Sequence, residues 1–131
     1  MGAWAEDSFA NDTALDWVAE LNETDDLTFV EETLSVAAEA EDYPGAEESS
    51  TAIAAAEVVA ALLGKPMADL PDEVIEYVAR IKEKPPTDLV QLASETVERI
   101  KAKSELQELW AESGDPGAWL KAMTDLEERL R

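Results

Sequence analysis

The sequence predicts an all-α fold: a compact, single-domain bundle of six to seven helices around a central alanine-rich helix. Apolar residues recur at i, i+3, i+4 and i+7 along most of the chain, and no window alternates with a period of two between hairpin turns. Proline and glycine punctuate these stretches at helix-length intervals. With 131 residues, 46% of them apolar, the chain can close one core, and it contains no internal repeat, linker or low-complexity segment.

The first helix is expected from Asn11 or Asp12, both good N-cap residues, to about Leu21 or Asn22. Its inward stripe is Ala14, Leu15, Val18 and Leu21, with Trp17 beside it. A second helix begins after Asp25-Asp26, whose carboxylates suit a positive dipole end. It turns Val30, Leu34, Ala37 and Ala38 inward and stops before the breaker Tyr43-Pro44-Gly45. The third spans about Ala46 to Leu63, with Glu47 and Glu48 in its first turn and Gly64 then Pro66 closing it. From Ser50 to Leu63 it holds one charged residue, Glu57. A helix apolar on nearly every side must be surrounded, so this one belongs at the centre, where its alanines let neighbours approach closely.

Pro71 reads as the first residue of a fourth helix, with Asp72 and Glu73 following and Val74, Ile75, Val78 and Ile81 turned inward. Pro85-Pro86 ends it, and Thr87 caps a fifth helix carrying Leu89, Leu92, Val97 and Ile100. Ser104 followed by Gln107 has the form of a capping box, so a helix restarts there with Leu106, Leu109 and Trp110. After Gly114-Asp115 the last helix runs from Pro116 to about Leu130, presenting Trp119, Leu120, Met123, Leu126 and Leu130.

Charge is the second signal. Against 31 Asp and Glu stand 10 Lys and Arg and no His, for a net charge of −21. Its distribution is uneven: residues 1–64 contain 16 acids and no Lys or Arg, whereas residues 65–131 contain 15 acids and all 10 cations. Such a chain is repelled by nucleic-acid phosphates and anionic membranes, so neither is an expected partner. Without His or Cys there is no Ser-His-Asp or Cys-His machinery and no zinc site of the usual type. Solubility, a high-salt habitat and a patch for a basic partner each account for the acidity. The asymmetry favours the patch, because adaptation to salt would acidify both halves.

The opening MGAWAEDSFA has neither the basic nor the apolar region of a signal peptide. Glu6 stands where a myristoylation start wants Ser or Thr. The longest apolar run, Ala52 to Leu63, is too short for a membrane span, which needs ~20 residues. The cytoplasm is the expected location.

Three stretches of the chain are similar to a known family. They are the opening M-G-A-W…F-x-N-D-x-A-L-D-W, the segment A-A-A-E-V-V-A-A-L-L-G-K-P from Ala54 to Pro66, and S-E-L-x-E-L-W at Ser104 to Trp110, followed by Trp119, Leu126 and Arg129-Leu130. Together they resemble small bacterial proteins grouped as domain-of-unknown-function family 4259. The resemblance spans nearly the whole chain; it implies a helical domain and carries no activity with it.

Three groups of residues are candidate sites. The acidic stretch Glu39, Glu41, Asp42, Glu47 and Glu48, around Tyr43, is a docking place for a cationic protein, with Asp25 and Asp26 next to it in interest. It is equally a solvated turn. Trp4, Asn11, Asp12, Asp16 and Trp17 combine two indoles with carboxylates, which suits a pocket for a cationic or polar ligand. Capping by Asn11 and Asp12 and core packing by the tryptophans account for the same residues. Glu73 with Glu76 and Glu95 with Glu98 resemble the paired carboxylates of all-α nucleotide pyrophosphatases, which hold Mg²⁺. In so acidic a chain such pairs also arise by chance on solvated faces. The preferred reading is a non-catalytic module that engages a basic partner protein, with no cofactor and no metal. Mg²⁺-dependent nucleotide hydrolysis and a purely structural or oligomerising role are the alternatives.

Overall fold

A computed structural model describes residues 12–40, 45–65, 70–81, 84–102, 104, 107–108, 111–112 and 116–130. Six helices are delimited: α1 (Asp12–Leu21), α2 (Thr28–Ala38), α3 (Ala46–Leu62), α4 (Asp72–Ile81), α5 (Thr87–Ala102) and α6 (Pro116–Arg129). Residues 107–108 and 111–112 are also helical, and Gln107 N–H donates to Ser104 Oγ at 3.0 Å, the cap expected there. No strand occurs among the described residues.

The centre is α3, which packs against each of the other five helices. From Ala52 to Ala61 every residue is buried. Alanine supplies the reason: a methyl side chain lets several neighbouring backbones come close at once, so one helix can serve as a common axis. Gly64 ends it with φ +86°. Lys65 N–H donates to the Ala60 carbonyl at 2.9 Å and Gly64 N–H to that of Ala61 at 3.0 Å, a Schellman closure that needs the left-handed residue. At its start Gly45 N–H donates to Glu48 Oε1 at 3.0 Å.

The inward stripes follow the expected periodicity with three corrections. Leu15, Ile75 and Leu120, expected in the core, are exposed. Each follows directly after a residue that is buried (Ala14, Val74, Trp119), and a step of about 100° carries it out of the stripe. On α4 the place expected for Ile75 is taken by Tyr77, fully buried because its hydroxyl finds the Asp26 carbonyl at 2.6 Å. Two helix starts also shift by one position: the Pro71 and Pro86 carbonyls accept the first bonds of α4 and α5, so Pro71 precedes α4 and Thr87 lies inside α5.

Candidate functional site

Three arginines of the second half reach the acidic half as clamps. Arg80 on α4 reaches the turn after α1. Its Nε lies 3.1 Å from Asp25 Oδ1, Nη1 donates to Asn22 Oδ1 at 3.2 Å, and Nη2 donates to the carbonyls of Asn22 and Thr24 at 3.0 and 2.8 Å. The Tyr77 ring lies 5.7 Å from its guanidinium carbon. Arg99 on α5 does the equivalent at the end of α2, donating from Nη1 to the carbonyls of Ala37 and Ala38 and from Nη2 to that of Ala40. The Ala37 and Ala38 carbonyls are among those that a helix end leaves without an internal partner, at its negative pole, and Ala40 follows just beyond it.

Arg129 on α6 grips Glu57 with both terminal nitrogens, Nη1 to Oε1 at 2.7 Å and Nη2 to Oε2 at 3.1 Å, while its Nε donates to Asp125 Oδ2 at 2.9 Å. Burial works against the charge on Arg129, but the hydrogen bonds and attraction from Glu57, then Asp125, outweigh it and raise the guanidinium above its ordinary value. Sequence reasoning missed this pair. The signal was the lone carboxylate on an apolar helix, which must be paired to be buried.

With those guanidinium groups engaged on Asp25, Glu57, Asn22 and backbone carbonyls, other carboxylates of the front half stay in solvent. Asp16, Glu20 and Glu23 on α1 and its following turn, Asp26, Glu31, Glu32 and Glu39 around α2, and Glu47 on α3 are exposed and form no ion pair with a described residue. On α1, Asp16 and Glu20 stand at i and i+4, opposite the core stripe of Ala14, Val18 and Leu21, and Glu23 follows in the turn after the helix. On α2 Glu32 and Val36 face outward with the same i, i+4 spacing, Glu39 follows at the helix end, and Val36 is 55% exposed between the two acids. The two helices are joined by Trp17, whose ring stacks on Phe29 at 5.3 Å and whose Nε1 donates to Thr33 Oγ1 at 2.8 Å.

The acids singled out from the sequence fall at both ends of α2. Asp25 and Asp26 sit before α2 and Glu39 after it, roughly 20 Å apart along the helix axis at 1.5 Å per residue. Asp25 is paired with Arg80, and Asp26 Oδ1 accepts from Thr28 N–H at 3.1 Å at the start of α2. Glu48 is turned back onto Gly45, and Glu41 and Asp42 lie outside the described residues. Between the two ends stand Glu31 and Glu32, which sequence reasoning did not select.

Between the N-terminal turns of α2 and α5 there is an open cleft of about 430 Å³, lined by Leu27, Glu31, Pro86, Asp88, Leu89 and Leu92. Leu89 is buried and Leu27 and Leu92 are half-buried, so the floor is apolar; Glu31 and Asp88 stand exposed, one on each helix. Periodicity assigned Leu92 to the core and gave no sign of the cleft, which exists only where α2 and α5 meet.

Residues 2–122 match a family model described as a domain of unknown function, DUF4259. The chain belongs to the DUF4259 family. No curated protein and no solved structure matches it. The matched stretch of this DUF4259 chain covers α1 to α5 and the cleft, and ends inside α6 before Asp125 and Arg129.

The remaining candidates in the DUF4259 chain are placed as follows. Trp17 is buried with both its ring face and its indole N–H occupied by α2, Asp16 is exposed, and Asp12 begins α1; Trp4 and Asn11 lie outside the described residues. Glu73 and Glu76 on α4 and Glu95 and Glu98 on α5 are all exposed, and Glu95 Oε1 accepts from Gln91 Nε2 at 3.2 Å. Among the described residues no three acids gather as a metal-binding group, so the two pairs are not brought together. Arg80 and Arg99, the cations nearest these pairs in sequence, are turned onto α1–α2 backbone instead. No helix among the described residues is long and apolar enough to cross a membrane.

Proposed function

We propose that this domain acts by binding and not by catalysis, presenting the outer face of α1 and α2 to a basic partner protein. One observation supports the reading above others. The arginines that reach the front half are engaged on Asp25, Glu57, Asn22 and helix-end carbonyls, leaving Asp16, Glu20, Glu23, Glu32 and Glu39 exposed and without ion pairs to described residues. Carboxylates kept apart from intramolecular cations repel one another, a cost that an incoming cationic surface relieves. Exposed Val36 between Glu32 and Glu39 adds an apolar contact to the charged stripe.

Titrating the full chain with a lysine- and arginine-rich helical peptide, followed by calorimetry, tests this. Affinity should fall steeply between low and physiological ionic strength. Removing four charges from the proposed face (D16N/E20Q/E23Q/E32Q) should weaken binding roughly tenfold, at a few tenths of a kcal/mol per exposed pair. Removing four from α4 and α5 (E73Q/E76Q/E95Q/E98Q) should weaken it much less. Equal losses from both variants would mean that net charge, not a face, attracts the peptide, and the reading would fail.

A further inference from the structure

We propose that the cleft between α2 and α5 receives a long cationic side chain of the partner, arginine in preference to lysine. The inference rests on the acidic-face reading and adds the place where specificity resides.

The lining is of two kinds. Leu27, Pro86, Leu89 and Leu92 make an apolar floor, and the charged groups beside it are the Glu31 and Asp88 carboxylates. Among the described residues no lysine or arginine lines the cleft, and neither carboxylate makes an ion pair with one of them. An anion would meet two like charges over a surface unable to solvate it. A purely aliphatic group would cover leucine but strip water from two carboxylates that it could not satisfy. A side chain with a methylene stem and a positive head satisfies both, its stem lying on leucine and proline and its head between the acids. Guanidinium is the better head, because its planar fork presents donors in two directions while ammonium is a point charge. The volume, about 430 Å³, falls within the roughly 300–1,000 Å³ of small-ligand pockets and accommodates such a side chain with part of its neighbours.

The acids also complement the dipoles of α2 and α5 from their first turns, and that role by itself calls for no ligand. Binding separates the two. The isotopically labelled full chain is titrated with the pentapeptide acetyl-Ala-Leu-Arg-Leu-Ala-amide and with its twin carrying norleucine for arginine, following backbone amide shifts. The expected result is movement centred on Leu27, Glu31, Leu89 and Leu92 with the arginine peptide, and affinity roughly three- to tenfold weaker with norleucine or with E31Q/D88N. Leu92→Trp, which fills the cleft and leaves both charges, should abolish the movement while the α1 stripe still binds the lysine- and arginine-rich peptide. Movement of Asp16, Glu20 and Glu23 with the cleft unmoved would overturn the proposal and leave the acidic-face reading standing. Equal affinity for the norleucine twin would also overturn it. A chain that binds neither the pentapeptide nor the longer basic peptide would overturn both.

Discussion

Glu57 and Arg129 join the central helix to the last one through a two-pronged carboxylate–guanidinium contact, at 2.7 and 3.1 Å, with the glutamate only 2% exposed. They are 72 residues apart. A carboxylate buried so deeply requires a cationic partner, which makes the pair a condition of the fold more than a source of stability.

Removing Arg129 should therefore cost far more than an ordinary surface ion pair. Arg129→Met leaves a buried carboxylate and is expected to destabilise by about 3 kcal/mol or more, whereas the double variant Glu57→Leu/Arg129→Met should lie within about 1 kcal/mol of wild type or above it. Urea unfolding of the three proteins measures this; additive losses would contradict the coupling. Because the arginine's pKa is raised, its contribution is complete at any pH below the ordinary guanidinium value and disappears only as pH climbs through the raised one. Alkaline unfolding at milder pH must then have another origin.

Arg99 should control the C-terminal end of α2. Its guanidinium serves the carbonyls of Ala37, Ala38 and Ala40 from two nitrogens. Arg99→Ala is expected to cost about 1.5–3 kcal/mol, the range for hydrogen bonds to charged groups, with Arg99→Lys intermediate because an ammonium cannot span three carbonyls. Hydrogen exchange should quicken first at the last turn of α2. Uniform acceleration throughout the bundle would show that Arg99 acts on global stability alone.

Ala55→Leu probes the close approach of helices to α3. Ala55 is fully buried on the helix that all five others touch. Added methylenes have nowhere to go without moving backbone, so a loss of about 1–3 kcal/mol is expected in thermal unfolding. An unchanged midpoint would indicate that α3 is loosely surrounded.

Salt should stabilise the domain. With a net charge of −21 and many exposed acids that form no ion pair with a described residue, repulsion should outweigh the few surface attractions. Shortening the Debye length from ~30 Å to ~8 Å, between about 0.01 and 0.15 M salt, should raise the melting temperature. A fall would mean that exposed pairs such as Arg80–Asp25 dominate instead.

Ser49 invites the opposite kind of substitution. It is fully buried near the start of α3 and its hydroxyl has no hydrogen-bond partner among the described residues. Ser49→Ala should stabilise by about 1 kcal/mol by removing an unsatisfied polar group, read as an upward shift in the urea midpoint. Destabilisation would reveal a bond made in solution.

Much of this was legible in the residues. Periodicity and breakers located the helices, Gly64 marked the Schellman closure, and an almost uncharged alanine-rich stretch marked the axis. Leu15, Ile75 and Leu120 misled because an apolar neighbour at the margin of a stripe looks the same in sequence whether or not a helix lies beside it. Tyr77 was overlooked because its place inside depends on a carbonyl 51 positions away. The acidic half was plain from composition, but which of its carboxylates are consumed was not: Asp25 looks no different from Glu20 and Glu32 until Arg80 arrives, and the isolation of Glu57 on an apolar helix called for a partner without naming Arg129.

What the sequence determined by itself was local: helix limits to within a residue or so, the Ser104 cap and the Gly64 closure, the apolar axis and the sign of the charge, nearly all set by residues within a turn or two of each other. What only the tertiary structure decided was the company each charge keeps, from the Glu57–Arg129 contact to the cleft with Glu31 on one side and Asp88 on the other. Electrostatic energy depends on distance and burial, and chain order specifies neither.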